Sequence, residues 1–138
     1  MIVVSQCLLG DNCKYNGGNN YSQKVVDFLK NKEYIAVCPE QLGGLPTPRT
    51  PCECCGKRII NKEGEDKTQA FIDGAERCLK LIEDKEIECA ILQPRSPSCG
   101  KGKIYDGSFT GTLTVGNGVF AKMLLERGII VKHEDELD

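Results

Sequence analysis

The sequence predicts an α/β fold: a single three-layer domain over residues 1–138, with a mainly parallel sheet of about four strands, helices on both faces and long loops at the strand carboxyl ends. Three observations lead to it. Short apolar runs rich in Val and Ile, such as Ile2-Val3-Val4, alternate with segments of helical periodicity. The resulting order, strand and helix in alternation from first strand to fourth, implies right-handed crossovers and parallel pairing. The stretches rich in Gly, Pro and Cys follow the first three strands, and loops longer than about 12 residues in a compact domain are usually functional.

Each element has a local reason. Met1–Gln6 is the first strand, apolar enough for burial on both faces. A Gly/Asn loop, Gly10 to Asn20, follows. Ser22 is placed to cap a helix over Gln23–Lys30, with Val25, Val26 and Leu29 on one face and Asn31-Lys32 at its end. Tyr34–Val37 is the second strand. Pro39 to Gly56, dense in Pro, Gly and Cys, predicts no regular element. Lys57–Asn61 reads as a short strand or hairpin arm. Lys67–Asp84 is the clearest helix, with Ala70, Phe71, Gly74, Ala75, Cys78, Leu81 and Ile82 on one face. Cys89–Leu92 is the third strand, and Gly100–Gly118 reads as irregular. A last helix over Val119–Arg127 stops at Gly128, and Ile129–Lys132 is the fourth strand.

Composition narrows the function. With 138 residues, 40% hydrophobic and 28% charged, the chain is sized for one ordinary soluble domain. A net charge of -2 gives no electrostatic footprint for duplex nucleic acid or an anionic membrane. The apolar start lacks a basic lead-in and a small-residue cleavage site, so no signal peptide is expected. Nine cysteines, an odd number without an export signal, argue against a disulfide framework and for metal-bound or free thiols in a reducing cytoplasm. His133, the one histidine, lies in the acidic tail Lys132-His133-Glu134-Asp135-Glu136 and reads as a solvated residue. Without it there is no Cys–His nucleophile pair and no zinc site of several histidines.

Cys7, Cys38 and Cys99 fall at or just past strand ends, where the ligands of a parallel sheet gather. Three thiolates meeting there would hold a soft metal or an iron–sulfur cluster. Cys13 shares a loop with Cys7 and rivals any of them. Cys52 and Cys55 have C-x-x-C spacing but precede a glycine and a hairpin rather than opening a helix, unlike a redox dithiol. A zinc-binding module on Cys52, Cys54 and Cys55 is a rival reading, as is an electron carrier with Cys13 as fourth ligand. Cys78 and Cys89 read as packing residues.

Polar residues accompany these thiols. Glu40, two positions after Cys38, is placed to ligate a metal or to act as a general base. Ser96 and Ser98 flank Cys99 and could orient a water or pass a proton. Lys14, Arg49, Arg95 and Lys101 lie in the same loops, and cations grouped at one pocket suit a phosphate or carboxylate.

Several blocks together carry a resemblance. They are Ser5-Gln6-Cys7-Leu8-Leu9-Gly10, Cys13-Lys14-Tyr15-Asn16-Gly17, the run from Cys38-Pro39-Glu40 to Arg49, Ser96-Pro97-Ser98-Cys99-Gly100, Tyr105-Asp106-Gly107 and Gly111-Thr112-Leu113. Spanning almost the whole chain, they resemble the thiouracil desulfidase family, long catalogued as a domain of unknown function. The resemblance implies a 4Fe–4S cluster held by three cysteines, with one iron not bound by protein and free for the sulfur of a thiolated pyrimidine. It implies hydrolytic, non-redox cleavage of 4-thiouracil, 4-thiouridine or, preferably, 4-thiouridine monophosphate, with release of hydrosulfide. Glu40 and Ser96 match the family's catalytic pair. The cluster ligands map onto Cys7, Cys38 and Cys99, with Cys13 as the alternate. Lys14, Tyr15, Arg49, Arg95 and Ser98 are the expected substrate contacts. Two departures stand out: the extra thiols of Pro51-Cys52-Glu53-Cys54-Cys55, and Lys14 and Asn16 in place of Arg and Asp.

Overall fold

The structure, a computed structural model, describes residues 1–137. In chain order its elements are β1 (Ile2–Ser5), α1 (Gln23–Leu29), β2 (Tyr34–Val37), α2 (Pro39–Leu42), β3 (Cys52–Cys55), β4 (Arg58–Asn61), α3 (Thr68–Ile82), β5 (Cys89–Ile91), β6 (Lys103–Tyr105), β7 (Leu113–Val115), α4 (Val119–Glu126) and β8 (Val131–Lys132). Single 3₁₀ turns occupy Gln6–Leu9 and Glu134–Glu136. The main sheet runs β2-β1-β5-β8, and all its pairings are parallel. β1 is paired on both sides and is buried throughout, as its unbroken apolar run requires.

Each face of the sheet covers its own core. Val3, Val37, Ala90 and Val131 pack with Ala75, Cys78 and Ile82 of α3 and with Phe120 and Leu124 of α4. Ile2, Val4 and Ile91 pack on the other side with Val25 and Leu29 of α1 and with Leu137. Ser22 caps α1 as expected, its Oγ accepting the Val25 N–H at 3.3 Å. On α3 the buried stripe includes Leu79, whereas Leu81 is exposed. The stripe Phe71, Ala75, Cys78, Leu79, Ile82 follows the 3.6-residue period more closely than one drawn through Leu81.

Two stretches expected to be irregular are not. Pro39 opens α2 instead of breaking it, because the first helical position needs no N–H and favours the proline φ. Cys52–Cys55 pairs antiparallel with Arg58–Asn61 through a two-residue turn containing Gly56 at φ 66. Within Gly100–Gly118, β6 and β7 form a second hairpin. His133 is buried, not solvated: its Nδ1 lies 3.0 Å from the Leu92 carbonyl, and its Nε2 accepts the Lys101 N–H at 3.2 Å. The acidic residues around it face outward while the ring ties the tail to the loop after β5. Among the described residues, no helix is long and apolar enough to cross a membrane.

α2 is held by a close crossing with α3. A Cβ on Gly74 would overlap the Pro39 carbonyl oxygen, and one on Gly43 would overlap the Ala70 carbonyl oxygen. Arg77 of α3 donates to the Leu42 carbonyl at the other end of α2. Because the obstructing atoms are backbone, the Gly74→Ala change cannot be absorbed by a rotamer shift. Its expected cost is about 3 kcal/mol or more, a fall in Tm of about 10 °C or more by calorimetry. A Tm within about 2 °C of the parent would refute the close-packing account.

Candidate active site

The carboxyl ends of β2, β1 and β5 lie side by side, and the register sets them level: Ser5 pairs with Val37, and Val4 with Ile91. Cys38 follows Val37 directly, at the N-cap of α2. Cys7 lies in the 3₁₀ turn that continues β1. Cys99 comes back to the same end in the loop after β5. All three, with Cys13, line one pocket of about 390 Å³, a size typical of small-molecule sites.

The thiols are not equivalent. The Cys13 side chain faces both Cys7 and Cys38, and this contact favours a proton on Cys13 and thiolate on the other two. Cys13 is therefore held above the ordinary thiol value, and its hydrogen bonding draws Cys7 down. Cys38 is lowered to about 7, chiefly by Cys13 and against the cost of burial. The Gln41 backbone N–H contributes as well, without closing a helix cap. Asn20 donates to the Cys7 sulfur at 3.5 Å. Cys99 differs: burial pushes its thiol up to about 12, with Ser5 and Ser98 opposing.

Glu40 sits in the first turn of α2 with both oxygens engaged. Arg49 Nη2 donates to Oε1 at 3.0 Å, and Ser98 Oγ donates to Oε2 at 2.8 Å. The ion pair is largely enclosed, with side-chain exposures of 7% for Arg49 and 17% for Glu40. Arg49 also donates to the Cys13 carbonyl at 3.0 Å, which joins the acid to the thiol loop. Arg49, an expected substrate contact, lines the same pocket and is engaged there with Glu40. Ser98, not Ser96, touches the carboxylate. Ser96 Oγ accepts the Cys99 N–H at 2.7 Å and lies 3.3 Å from Ser98 Oγ.

Of the other expected contacts, Lys14, Tyr15 and Arg95 line the pocket. Lys101 does not; its Nζ binds the Val131 carbonyl and Glu136. The sequence reading missed Cys52, Glu53, Lys62 and Phe109, which line the pocket from the two hairpins. Lys57–Asn61 carries a strand signal for the first hairpin, whereas the glycine-rich Gly100–Gly118 carries none for the second.

Among the described residues, no three His, Cys, Asp or Glu side chains converge on a point suited to a single metal ion. That disfavours a zinc module on Cys52, Cys54 and Cys55, whose strand sends neighbouring side chains to opposite faces. An iron–sulfur cluster has different needs. Each iron takes its own thiolate, so the ligands surround a volume rather than a point. Four cysteines lining one pocket, with two drawn toward thiolate, fit that requirement.

Comparison with known proteins agrees. The family model described as 2-thiouracil desulfurase matches residues 2–136. The uncharacterized protein YbbK of Bacillus subtilis (strain 168) is 38% identical over 148 residues, covering 100% of this chain and 98% of that protein. Among solved structures, the 4Fe–4S-dependent thiouracil desulfidase TudS (DUF523Vcz) superposes with a TM-score of 0.91 at 41% identity, over 99% of this chain and 91% of that one.

The arrangement of thiols predicts a labelling pattern in cluster-free protein. Only thiolate is alkylated efficiently, so iodoacetamide modification of Cys38 should rise with pH through a midpoint near its value of about 7. Cys52 and Cys54, which burial pushes up to about 11, stay unlabelled there. The Cys13→Ala variant removes the main cause, so the Cys38 midpoint moves upward. Peptide mass mapping across a pH series measures this, and an unmoved midpoint contradicts the assigned cause.

Proposed function

The chain belongs to the 2-thiouracil desulfurase family, and from that premise we propose that it removes sulfur hydrolytically from a thiolated pyrimidine, with 4-thiouridine monophosphate preferred over 4-thiouridine and 4-thiouracil. A water oxygen replaces sulfur on the ring carbon, sulfur leaves as hydrosulfide, and no electrons are exchanged. The observation that carries this reading is the Glu40 carboxylate, fixed by Arg49 and Ser98 at the rim of a pocket lined by four cysteines.

The cofactor in this reading is a 4Fe–4S cluster held by Cys7, Cys38 and Cys99, with one iron left without a protein ligand. Cys7 and Cys38 are the thiols drawn toward thiolate. Cys13 hydrogen-bonds with both of them, and Cys99 lines the same pocket from the loop after β5. When bound, the cluster supplies a soft Lewis acid that prefers thiocarbonyl sulfur to carbonyl oxygen.

The protein's own groups handle the water and its proton. Ser96 Oγ already accepts the Cys99 N–H, which leaves its hydrogen free to point at Ser98 Oγ. Ser98 in turn donates to Glu40 Oε2. A water beside Ser96 can thus pass a proton through two hydroxyls to the carboxylate. Glu40 is the general base in this scheme, Ser96 the hydroxyl that meets the water, and Ser98 the link between them. Arg49 is a positioning residue that holds the carboxylate plane. With Arg49 committed, Lys14, Lys62 and Arg95 remain as the pocket cations available to a substrate phosphate.

General-base assistance is typically worth ~10²–10⁴ in rate, so Glu40→Ala should lower kcat by about that factor while iron and sulfide content stay normal. A cluster-loaded Glu40→Ala protein that turns over at the parent rate would remove the role. In anaerobic preparations, Cys7→Ala, Cys38→Ala and Cys99→Ala are expected to lose iron, whereas Cys13→Ala retains it. Iron loss in all four variants, Cys13→Ala included, would instead support a cluster with every iron ligated by protein and no place for substrate. Uracil release from 4-thiouracil by the anaerobic protein tests the activity itself. A KM for 4-thiouridine unchanged by its 5′-phosphate would remove the claim for the three cations.

A further inference from the structure

Among the described residues, three other than glycine have positive φ: Asn31 (63°), Arg95 (70°) and Phe109 (58°). Asn31 lies just past the end of α1, where that conformation is common. The other two line the pocket. A bulky aromatic residue at positive φ is an outlier that persists only where its surroundings impose it, and such residues cluster at functional sites.

What imposes it on Phe109 is a buried acid. Glu53 of β3 is 9% exposed, and its Oε1 accepts the Gly107 N–H at 3.0 Å and the Phe109 N–H at 3.1 Å. Among the described residues no lysine or arginine forms an ion pair with it. Two backbone donors are the neutral counterparts of its charge. The loop also lies tight on the first hairpin: Gly107 has φ 96, and a Cβ there would come within 2.9 Å of the Cys54 carbonyl oxygen and 3.2 Å of the Cys55 Cβ. Glu53 therefore fastens the loop between β6 and β7 to the hairpin β3–β4 and sets the Phe109 side chain against the pocket.

We propose that Phe109 is the platform on which the planar pyrimidine ring stacks, and that Glu53 is the positioning residue that presents it. This rests on the desulfidase reading for the identity of the ring. It adds a specificity element at the wall formed by the hairpins. Stacking on an aromatic face tolerates any substituent at the sugar position, so the platform serves the free base and the nucleotide alike.

Uracil is a suitable probe, because it lacks the sulfur and its affinity does not depend on a bond to iron. Binding of uracil to the anaerobic holoprotein is measured by saturation-transfer NMR, beside KM and kcat for 4-thiouracil. Phe109→Leu, which keeps apolar bulk but loses the ring face, should weaken uracil binding and raise KM about tenfold, with kcat within about twofold. Phe109→Tyr should restore both. Glu53→Gln keeps an acceptor oxygen and should behave like the parent, whereas Glu53→Leu should reproduce the Phe109→Leu effect. Circular dichroism and Tm check that each variant folds. Uracil binding by Phe109→Leu equal to the parent's overturns the platform even where sulfide release is normal. A tenfold or greater fall in kcat in Glu53→Gln overturns the positioning role, because it would place the Glu53 charge in the chemistry. Binding of uracil that depends on Phe109, in a protein that releases no sulfide, supports the platform and overturns the desulfidase reading.

Discussion

The site depends on one constraint of the sheet, the level ending of three adjacent parallel strands. β1 lies between β2 and β5, and the pairs Ser5–Val37 and Val4–Ile91 set where each strand stops. A slip of one residue would move Cys38 past Cys7 by about 3.3 Å. It would also turn Val3 and Val4 out of the packing each has on its own face. The two cores, with α3 and α4 on one side and α1 on the other, therefore protect the register as well as the fold. Sulfur placement follows from the packing on both faces of the sheet.

The acid is placed by a second, smaller device. Glu40 is on a helix of four residues, too short to hold itself. α3 supplies the support through backbone contact at Gly74 and Gly43, close enough to exclude a methyl group. Arg49 and Ser98 then fix the carboxylate from two other segments. Three distant stretches of chain thus determine one side chain, so its direction is set before any ligand arrives. The hairpins act in the same way at their own part of the pocket lining, where Glu53 holds a loop through two backbone N–H groups.

What the sequence disclosed and what it concealed divide along physical lines. β1, β2, β5 and β8 and the helices α1, α3 and α4 were legible, because apolar runs and periodicity are local and sufficient signals. α2 was not: Pro39 looks like a breaker until its place at the first helical position is known. β3 was hidden because Cys52-Glu53-Cys54-Cys55 has no apolar alternation, and its partner strand supplies the pairing. The cysteine group was legible from the strand ends alone. The commitments of Arg49 and Glu53 were not, since each depends on groups distant in sequence: Arg49 on the Cys13 carbonyl, Glu53 on the Gly107 and Phe109 amides. His133 misled for the same reason. Its acidic neighbours suggest solvent, and only the fold reveals the Leu92 carbonyl waiting for its ring.

The way Cys13 faces both Cys7 and Cys38 has a consequence for handling in air. Neighbouring sulfurs, one of them ionised near neutrality, meet the conditions for joining to one another once an oxidant is present. A covalent bridge between Cys13 and either neighbour would then form in the pocket that all three line. A dithiol reductant would reopen it, so the contact that draws Cys7 and Cys38 toward thiolate is also their route to oxidation.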